Sequence, residues 1–195
     1  MASIVVDGDN AGIAYVDIST SEFATTQVPI GSLKEEVNRL TPREIIIGEK
    51  CVGELEELPG LTITTVDDQY YHDSSSTTKI LDHFDSSTPE PYGCKSLPLA
   101  RRAAGAIISY IEKTQCQALP NIKNLQTYSV NSYMQLDPQT IVNLELFGGG
   151  RWGTKTSSLF TTLNKTFTAM GSRLLKKWIA RPLIDINDLT LRQNI

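Results

Sequence analysis

The sequence has few residues of the kinds that build metal sites and disulfide frameworks. Its 195 residues include three cysteines (Cys51, Cys94 and Cys116) and two histidines. The cysteines are odd in number, far apart and without a C-x-x-C pair, so they predict neither a disulfide framework nor a zinc site and suit a reducing compartment. His72 and His83 share no chelating spacing with a cysteine, which argues against a metal site.

Long apolar runs are also absent. No stretch of about 18 apolar residues predicts a membrane span, and residues 1–10 lack the basic start and apolar centre of a secretory signal. We therefore expect an intracellular protein without a membrane partner. Its compartment would be the cytoplasm in a bacterium, or the mitochondrion or nucleus in a eukaryote. With 40% hydrophobic and 21% charged residues, the chain can bury an ordinary globular core.

Acidic and basic residues are unevenly distributed along the chain. Residues 1–131 carry 10 Lys/Arg against 18 Asp/Glu, a net charge of −8, whereas residues 132–195 carry 8 against 4, a net charge of +4. Opposite charges in the two segments predict two modules. We do not expect the acidic module to bind the DNA backbone by itself, because phosphate binding needs clustered cations.

The first module has the pattern of a mixed α/β unit. Ser32 followed by Glu35 has the spacing of a helix capping box, and the segment 97–114 has the wide apolar face of a buried helix. The predicted elements are, in chain order, strands at 3–6, 12–18 and 22–28, a helix at 33–40, strands at 44–47 and 61–66, short helices at 54–58 and 79–84, and a long helix at 97–114. This order predicts a ribonuclease-H-like α/β domain over 1–116.

The second module is predicted to be all helical. We expect a linker over 117–131 that crosses the first module with one strand, and a helical region over 132–195. The predicted helices span 136–147, 157–167 and 168–181, with a fourth that begins at Asp185, a plausible helix cap. The sequence stops inside that fourth helix, so we expect the helical region to be a truncated one.

Several blocks of the sequence resemble the MutS family of DNA mismatch-repair proteins. The blocks that resemble its connector domain are GIAYVDISTSEF (12–23), PREIII (42–47), LPLA (97–100) and YIEKTQ (110–115). The blocks that resemble the start of its lever, or core, domain are MQLD (134–137), NLEL (143–146) and TAMGSRLLKKWIARPL (168–183). Order and spacing match over essentially the whole chain, and the last block is specific. Ser21, where the family usually has a glycine, and the serine-rich stretch 73–78 depart from the pattern.

The resemblance implies a parent protein that binds mismatched DNA as a dimer of MutS-type subunits, hydrolyses ATP with magnesium and recruits a MutL-type protein. The mismatch-reading, clamp and ATPase domains of the family have no counterpart here. We therefore expect a connector and lever module that is not an enzyme and holds no cofactor. It would couple mismatch binding to the ATPase and offer a surface to the MutL-type partner. The blocks look closest to the bacterial and organellar branch of the family.

One alternative function rests on the segment 149–156, GGRWGTKT. A phosphate-binding loop has the pattern G-x-x-x-x-G-K-[ST]. Gly149, Lys155 and Thr156 fit this pattern, but Thr154 occupies the place of the second glycine, where a side chain obstructs the approach of the backbone to a phosphate. A small nucleotide-binding protein that uses Lys155 is therefore the alternative, and a helix–helix loop is the interpretation we prefer.

A second alternative is a ribonuclease-H-like nuclease, which needs several carboxylates that converge on metal ions. Asp7, Glu35, Glu36 and Asp67 are its candidates. The first strand has no acid in its middle, so solvated surface acids are the interpretation that we prefer.

The last candidate site is a set of basic residues: Arg173, Lys176, Lys177 and Arg181. Spacings of three and four place most of them on one side of the predicted helix. They form a candidate interaction face for DNA phosphate or for an acidic partner. The competing interpretation is the solvated face of an amphipathic helix.

Overall fold

The protein forms two compact units, Met1–Val130 and Asn131–Ile195. The computed structural model describes residues 1–54, 62–114, 116–134, 136–148 and 158–194. The predicted short helix at 54–58 lies almost entirely outside the described residues. Among those residues, no helix has the length and apolar character needed to cross a membrane.

Unit 1 is built on a six-stranded mixed sheet. The strands are β1 (Ala2–Asp7), β2 (Asn10–Asp17), β3 (Glu22–Pro29), β4 (Glu44–Gly48), β5 (Thr62–Val66) and β6 (Gln126–Thr127). Their order across the sheet is β5-β4-β1-β2-β3-β6. The first three strands pair antiparallel, β4 is parallel to both β1 and β5, and β6 is parallel to β3. The predicted opening meander is confirmed.

Two turns of this meander need backbone conformations that favour glycine. Gly8, between β1 and β2, has a φ of 58°, which glycine adopts without steric cost. Ser21, between β2 and β3, also has a φ of 58°. The departure from the family pattern at Ser21 therefore falls on a left-handed position, where a side chain raises the energy of the turn.

Helices cover both faces of the sheet. The helix α1 (Leu33–Leu40) packs Leu33 and Val37 on one face, against strand residues such as Ile13 and Ile47. The helices α2 (Asp73–His83) and α3 (Pro98–Thr114) pack on the other face. Alternate residues of β1 and β2 contribute to the two apolar clusters, as expected of a sheet that is buried on both sides.

The start of α2 corrects the predicted short helix at 79–84. The helix begins six residues earlier, at Asp73, and includes the serine-rich stretch. Thr77 and Thr78 donate to the carbonyls four residues before them, and Ser76 is fully buried. Packing against α3 therefore overrides the weak helix propensity of serine and threonine.

The predicted capping box at the start of α1 is wrong in its geometry. Ser32 has helical backbone angles and makes no side-chain cap hydrogen bond, because a 3-10 turn at Ile30–Ser32 leads directly into the helix. The helix ends at Leu40, two residues before Pro42, which cannot continue a helix. Thr41 adopts the left-handed conformation and donates its N–H to the carbonyl of Val37.

The segment that we expected to be a linker packs on unit 1 in its described part. Ile122 and Leu125 are buried in the cluster beneath α3, β6 pairs with the edge of β3, and Val130 packs in the cluster beneath α1. The chain therefore passes around the β3 edge from one face of the sheet to the other. We call residues 119–130 the crossing segment. The domain limits 1–116, 117–131 and 132–195 stay a prediction.

Unit 2 contains four described helices: α4 (Pro138–Asn143), α5 (Leu159–Leu163), α6 (Ala169–Ala180) and α7 (Ile186–Gln193). The last two confirm the predicted helices, including Asp185 as the cap of α7, where it accepts from the N–H groups of Asn187 and Asp188. The predicted helices at 136–147 and 157–167 are too long. α4 ends at Asn143 because Glu145 takes a left-handed φ of 49°, which a helix cannot contain.

Hydrogen exchange should separate the two units. Unit 1 encloses two apolar clusters, whereas unit 2 leaves large apolar side chains exposed on α6 and α7. Amides in β1, β2 and α3 should therefore exchange far more slowly than those in α6 and α7. Mass spectrometry of peptides from the full chain would measure this, and equal protection across both units would contradict it.

The contact between α2 and α3 depends on Gly105. A Cβ atom at this position would lie 2.5 Å from the Cα of Ser76, which is backbone and cannot turn away. Gly105→Ala should therefore destabilise unit 1 by about 1–3 kcal/mol. Chemical unfolding followed by circular dichroism would measure the loss.

The matched control for this change is Gly31→Ala, where a Cβ atom would meet nothing within 4 Å. We expect this variant to lie within about 0.5 kcal/mol of the parent chain. Equal unfolding midpoints for the two alanine variants would show that the helices do not pack as described.

Candidate interaction sites

The four basic residues of the candidate interaction face lie at the end of unit 2, on and after α6. The N-cap residue of this helix is Thr168, whose hydroxyl accepts from the N–H of Gly171, and the preceding loop is tied to the helix by a hydrogen bond from Asn164 to Ser172. The Thr168 cap satisfies one of the donors that a helix start leaves free. It explains why α6 begins at Ala169.

The four basic residues are not equally exposed and do not all lie on the helix. Arg173 and Lys176 are exposed and Lys177 is half-buried. Arg181 is buried and follows the helix, with non-helical backbone angles. The Nζ atom of Lys176 lies 5.6 Å from the ring centroid of Phe147, in cation–π range. The role of the four residues in binding stays a prediction.

Exposed apolar side chains accompany the basic residues on α6. Met170, Leu174 and Trp178 are exposed by 57%, 46% and 36%. They are spaced by four residues and therefore form one ridge along the helix. The guanidinium of Arg192, on α7, lies 5.0 Å from the Trp178 ring. The sequence analysis singled out the cations of this surface and did not include its apolar residues in the candidate site.

The near-miss phosphate loop at 149–156 lies outside the described residues. Described residues lie on both sides of this loop, up to 148 and from 158 onward. The N–H groups of Leu159 and Phe160 donate to the carbonyls of Glu145 and Leu146, with N–O distances of 3.0 Å. The nucleotide-binding alternative therefore remains a sequence-based prediction.

The four acids of the nuclease alternative have other partners or face solvent. Asp7 forms an ion pair with Arg102, Asp67 caps the turn at 68–71 by accepting from the N–H of Gln69, and Glu35 is exposed. The described residues contain no group of three or more His, Cys, Asp or Glu that could hold a metal ion. They therefore do not offer the converging carboxylates that metal-dependent cleavage needs.

The fourth acid, Glu36, belongs to a buried polar cluster that the sequence did not reveal. Its side chain is almost fully buried and forms an ion pair with Arg39, with 2.7 Å between Nε and Oε2. It also accepts from the hydroxyl of Tyr128, at the end of the crossing segment. The Arg39 guanidinium lies over the Tyr128 ring, and the ring of Tyr15 meets the same ring edge-on.

This cluster fastens the crossing segment to α1. A buried carboxylate is stable only when it is paired and hydrogen-bonded. Glu36 is paired with Arg39, on α1, and hydrogen-bonded to Tyr128, on the crossing segment. The sequence contained one weak signal, because Glu36 and Arg39 stand three residues apart on a helix. That spacing is common in exposed ion pairs, so it did not predict burial.

Two tyrosine hydroxyls also hold the fold, that of the buried Tyr71 and that of the half-buried Tyr128. Tyr71 donates to the carbonyl of Ile46 and is hydrogen-bonded to Ser3. Burial raises the pKa of Tyr71 and also that of Tyr128. Both residues therefore act as neutral hydrogen-bonding groups.

The described residues form a mixed α/β unit followed by a helical unit. Comparison with known families agrees with this arrangement. The family model for MutS domain II matches residues 1–123, and the model for MutS domain III matches residues 139–195. The chain belongs to the MutS family.

Curated relatives support the assignment over the whole chain. It is 38% identical to the DNA mismatch repair protein MutS of Dehalococcoides mccartyi over 192 residues, 98% of this chain and 22% of that protein. It is 37% identical to the protein of the same description from Thermosynechococcus vestitus, over 100% of this chain and 24% of that protein. The chain therefore spans roughly a quarter or less of the length of these relatives.

The raised pKa values of Tyr71 and Tyr128 predict a loss of stability at alkaline pH. Below the ordinary tyrosine pKa of about 10, both residues are neutral in the folded and unfolded states, so their ionisation does not affect stability. Above it, the unfolded chain releases protons that Tyr71 and Tyr128 retain when folded. The free energy of unfolding should therefore fall as the pH rises beyond about 10.

Urea unfolding at a series of pH values would measure this decline. A variant with Tyr71→Phe and Tyr128→Phe should have a lower free energy of unfolding at neutral pH. This free energy should fall less as the pH rises, because phenylalanine has no hydroxyl group that can ionise. If the parent chain and the variant declined in parallel, other groups would be responsible.

Proposed function

We propose that this chain couples mismatch binding to ATP hydrolysis in a DNA mismatch-repair protein. The observation that carries the proposal is the match to MutS domains II and III, in that order, over nearly the whole chain. In this proposal the chain is not an enzyme and needs no cofactor. Mismatched DNA, ATP and magnesium would be handled by other domains of the parent, which would work as a dimer of MutS-type subunits.

The construction of unit 1 supports a coupling role. Coupling between distant sites is carried by packed elements that move as bodies. The sheet of unit 1 is covered on both faces, and the crossing segment is fixed to it by buried apolar and polar contacts. A displacement applied to one side of such a unit reaches its other side without being absorbed by loose packing.

We further propose that unit 1 has a ribonuclease-H-like fold that serves as a scaffold without nuclease activity. The antiparallel meander followed by parallel strands on the far side of β1 supports the fold. The separate uses of Asp7, Glu36 and Asp67 support the lack of cleavage. Unit 1 also offers a surface to a MutL-type protein. The relatives come from bacteria and favour a cytoplasmic location.

The proposal is tested with the full chain and three ligands. We expect saturable binding to a MutL-type protein, no ATP hydrolysis with magnesium, and only weak binding to duplex DNA, with a dissociation constant above roughly 1 μM at physiological salt. Binding to a heteroduplex with one G·T pair should equal binding to the matched homoduplex. Calorimetry and a phosphate-release assay provide the measurements.

Each alternative function predicts a result that the coupling proposal does not. ATP binding that disappears in Lys155→Ala would establish the nucleotide-binding alternative. Cleavage of single-stranded DNA with magnesium or manganese that disappears in Asp7→Asn would establish the nuclease. Mismatch-selective binding by this chain, or the absence of any MutL-type binding, would contradict the coupling proposal.

A further inference from the structure

The crossing segment is attached to unit 1 by different kinds of contact at its two ends. At its start, Ile122 and Leu125 are almost fully buried in the apolar cluster beneath α3. Towards its end, the half-buried Tyr128 donates its hydroxyl to Glu36 of α1, and its N–H donates to the carbonyl of Thr25 with an N–O distance of 3.0 Å. The start is therefore held by apolar burial, whereas the end depends mainly on polar contacts.

The ion pair that receives Tyr128 is complete without it. Glu36 and Arg39 both lie on α1, and their side chains make two hydrogen bonds, from Nε to Oε2 at 2.7 Å and from Nη2 to Oε1. If Tyr128 moved away, the carboxylate would keep both bonds and water would replace the lost hydroxyl. Loss of a partner is costly when the remaining charge stays buried and unpaired, and that situation does not arise here. The departure of Tyr128 therefore costs less than the separation of the ion pair.

The pairing of residues 126–130 with the sheet is short. The strand β6 has two residues, which pair with Ala24 and Thr25 at the edge of β3. The hydroxyl of Thr127 donates to the carbonyl of Tyr92 at 2.6 Å, and Val130 is only partly buried. A segment with little buried apolar surface opens at a lower free energy than the core on which it lies.

Just after the crossing segment, the chain enters the backbone pairing of unit 2. Tyr133 forms an antiparallel bridge with Leu183, and the N–H of Met134 donates to the carbonyl of Pro182 at 2.8 Å. These partners follow α6 in the chain. A displacement of residues 182–183 therefore reaches the end of the crossing segment through a short stretch of backbone, residues 131 and 132.

From these contacts we propose that Glu36, Arg39 and Tyr128 form a releasable attachment. Residues 126–130 detach from α1 and from the β3 edge as one unit, while the sheet, α3 and the buried start of the crossing segment stay folded. When the attachment is closed, the chain that enters unit 2 is fixed to α1, and when it is open, that chain is free to follow unit 2. The use of this release in coupling rests on the proposed function, but the release itself belongs to this chain and is tested without DNA, ATP or a partner protein.

The first test measures whether residues 126–130 open without global unfolding. Amide exchange of the full chain is followed by mass spectrometry at one pH and at urea concentrations below the unfolding transition. We expect peptides that cover 126–130 to exchange faster than peptides from β1, β2 and α3. Their rate should also depend much less on urea, because a local opening exposes little surface. A rate and a urea dependence equal to those of the core would overturn the proposal.

A matched pair of tyrosine variants then identifies what holds the segment. Tyr128→Phe removes the hydroxyl that Glu36 accepts and keeps the ring, so exchange of 126–130 should become about tenfold faster, since hydrogen bonds to charged groups are the stronger ones. Tyr71→Phe removes a core hydroxyl that stays bonded to Ile46 when the segment opens. It should accelerate the core amides and leave those of 126–130 at the parental rate. Failure of Tyr128→Phe to accelerate 126–130, or equal acceleration of 126–130 and the core by Tyr71→Phe, would overturn the proposal.

A double variant shows whether Glu36 and Tyr128 act together. Glu36→Gln keeps an acceptor for the Tyr128 hydroxyl but removes the charge that strengthens the bond, so this variant should also accelerate exchange of 126–130. When Glu36→Gln is combined with Tyr128→Phe, the acceleration should be smaller than the product of the two single effects, because both changes act on one interaction. Accelerations that multiply would show two independent contacts and would overturn the shared attachment.

Discussion

The close approach of α3 to the sheet sets the geometry of unit 1. A Cβ atom on Gly12, in β2, would lie 2.2 Å from the backbone of Leu99, so only glycine allows this contact. Two side chains from the neighbouring strand then bind the helix backbone. Gln27 accepts from the N–H of Leu99, and Thr25 donates to the carbonyl of Ala100. The start of α3 is thereby fixed on β2 and β3, and the rest of the helix can bury a face of alanine and isoleucine.

The other elements of unit 1 depend on that placement. α2 packs on α3 where Gly105 leaves room for Ser76, and the crossing segment puts Ile122 and Leu125 beneath α3 before it rounds the sheet edge. Glu36 and Arg39 then secure Tyr128 on the opposite face. Loss of one member of a buried ion pair costs about 3–5 kcal/mol, because the other charge stays buried and unpaired. The polar cluster therefore has two effects: it fixes the position of the end of the crossing segment, and it adds stability.

Sequence reasoning predicted the elements whose signals are local. The strands of the meander have β-branched residues and turn residues between them, α3 has a wide apolar face, and α6 and α7 have side-chain caps at Thr168 and Asp185. It failed where distant contacts decide the outcome. The early start of α2 depends on packing against α3, the end of α4 depends on a left-handed Glu145, and the burial of Glu36 depends on Tyr128, 92 residues away. A residue pattern within one element cannot contain such information.

The same limit applies to the candidate site on α6. The spacing of Arg173, Lys176 and Lys177 predicted a cationic side of the helix, but the sequence alone does not show which of its apolar residues face inward. Leu174 and Trp178 are exposed, whereas Leu175 and Ile179 are half-buried and fill the inward positions of α6. An amphipathic pattern fixes which residues of a helix are apolar, but a helix with two apolar strips has a choice of which to bury. In α6 the strip left outside, Leu174 and Trp178, is the one beside Arg173 and Lys177.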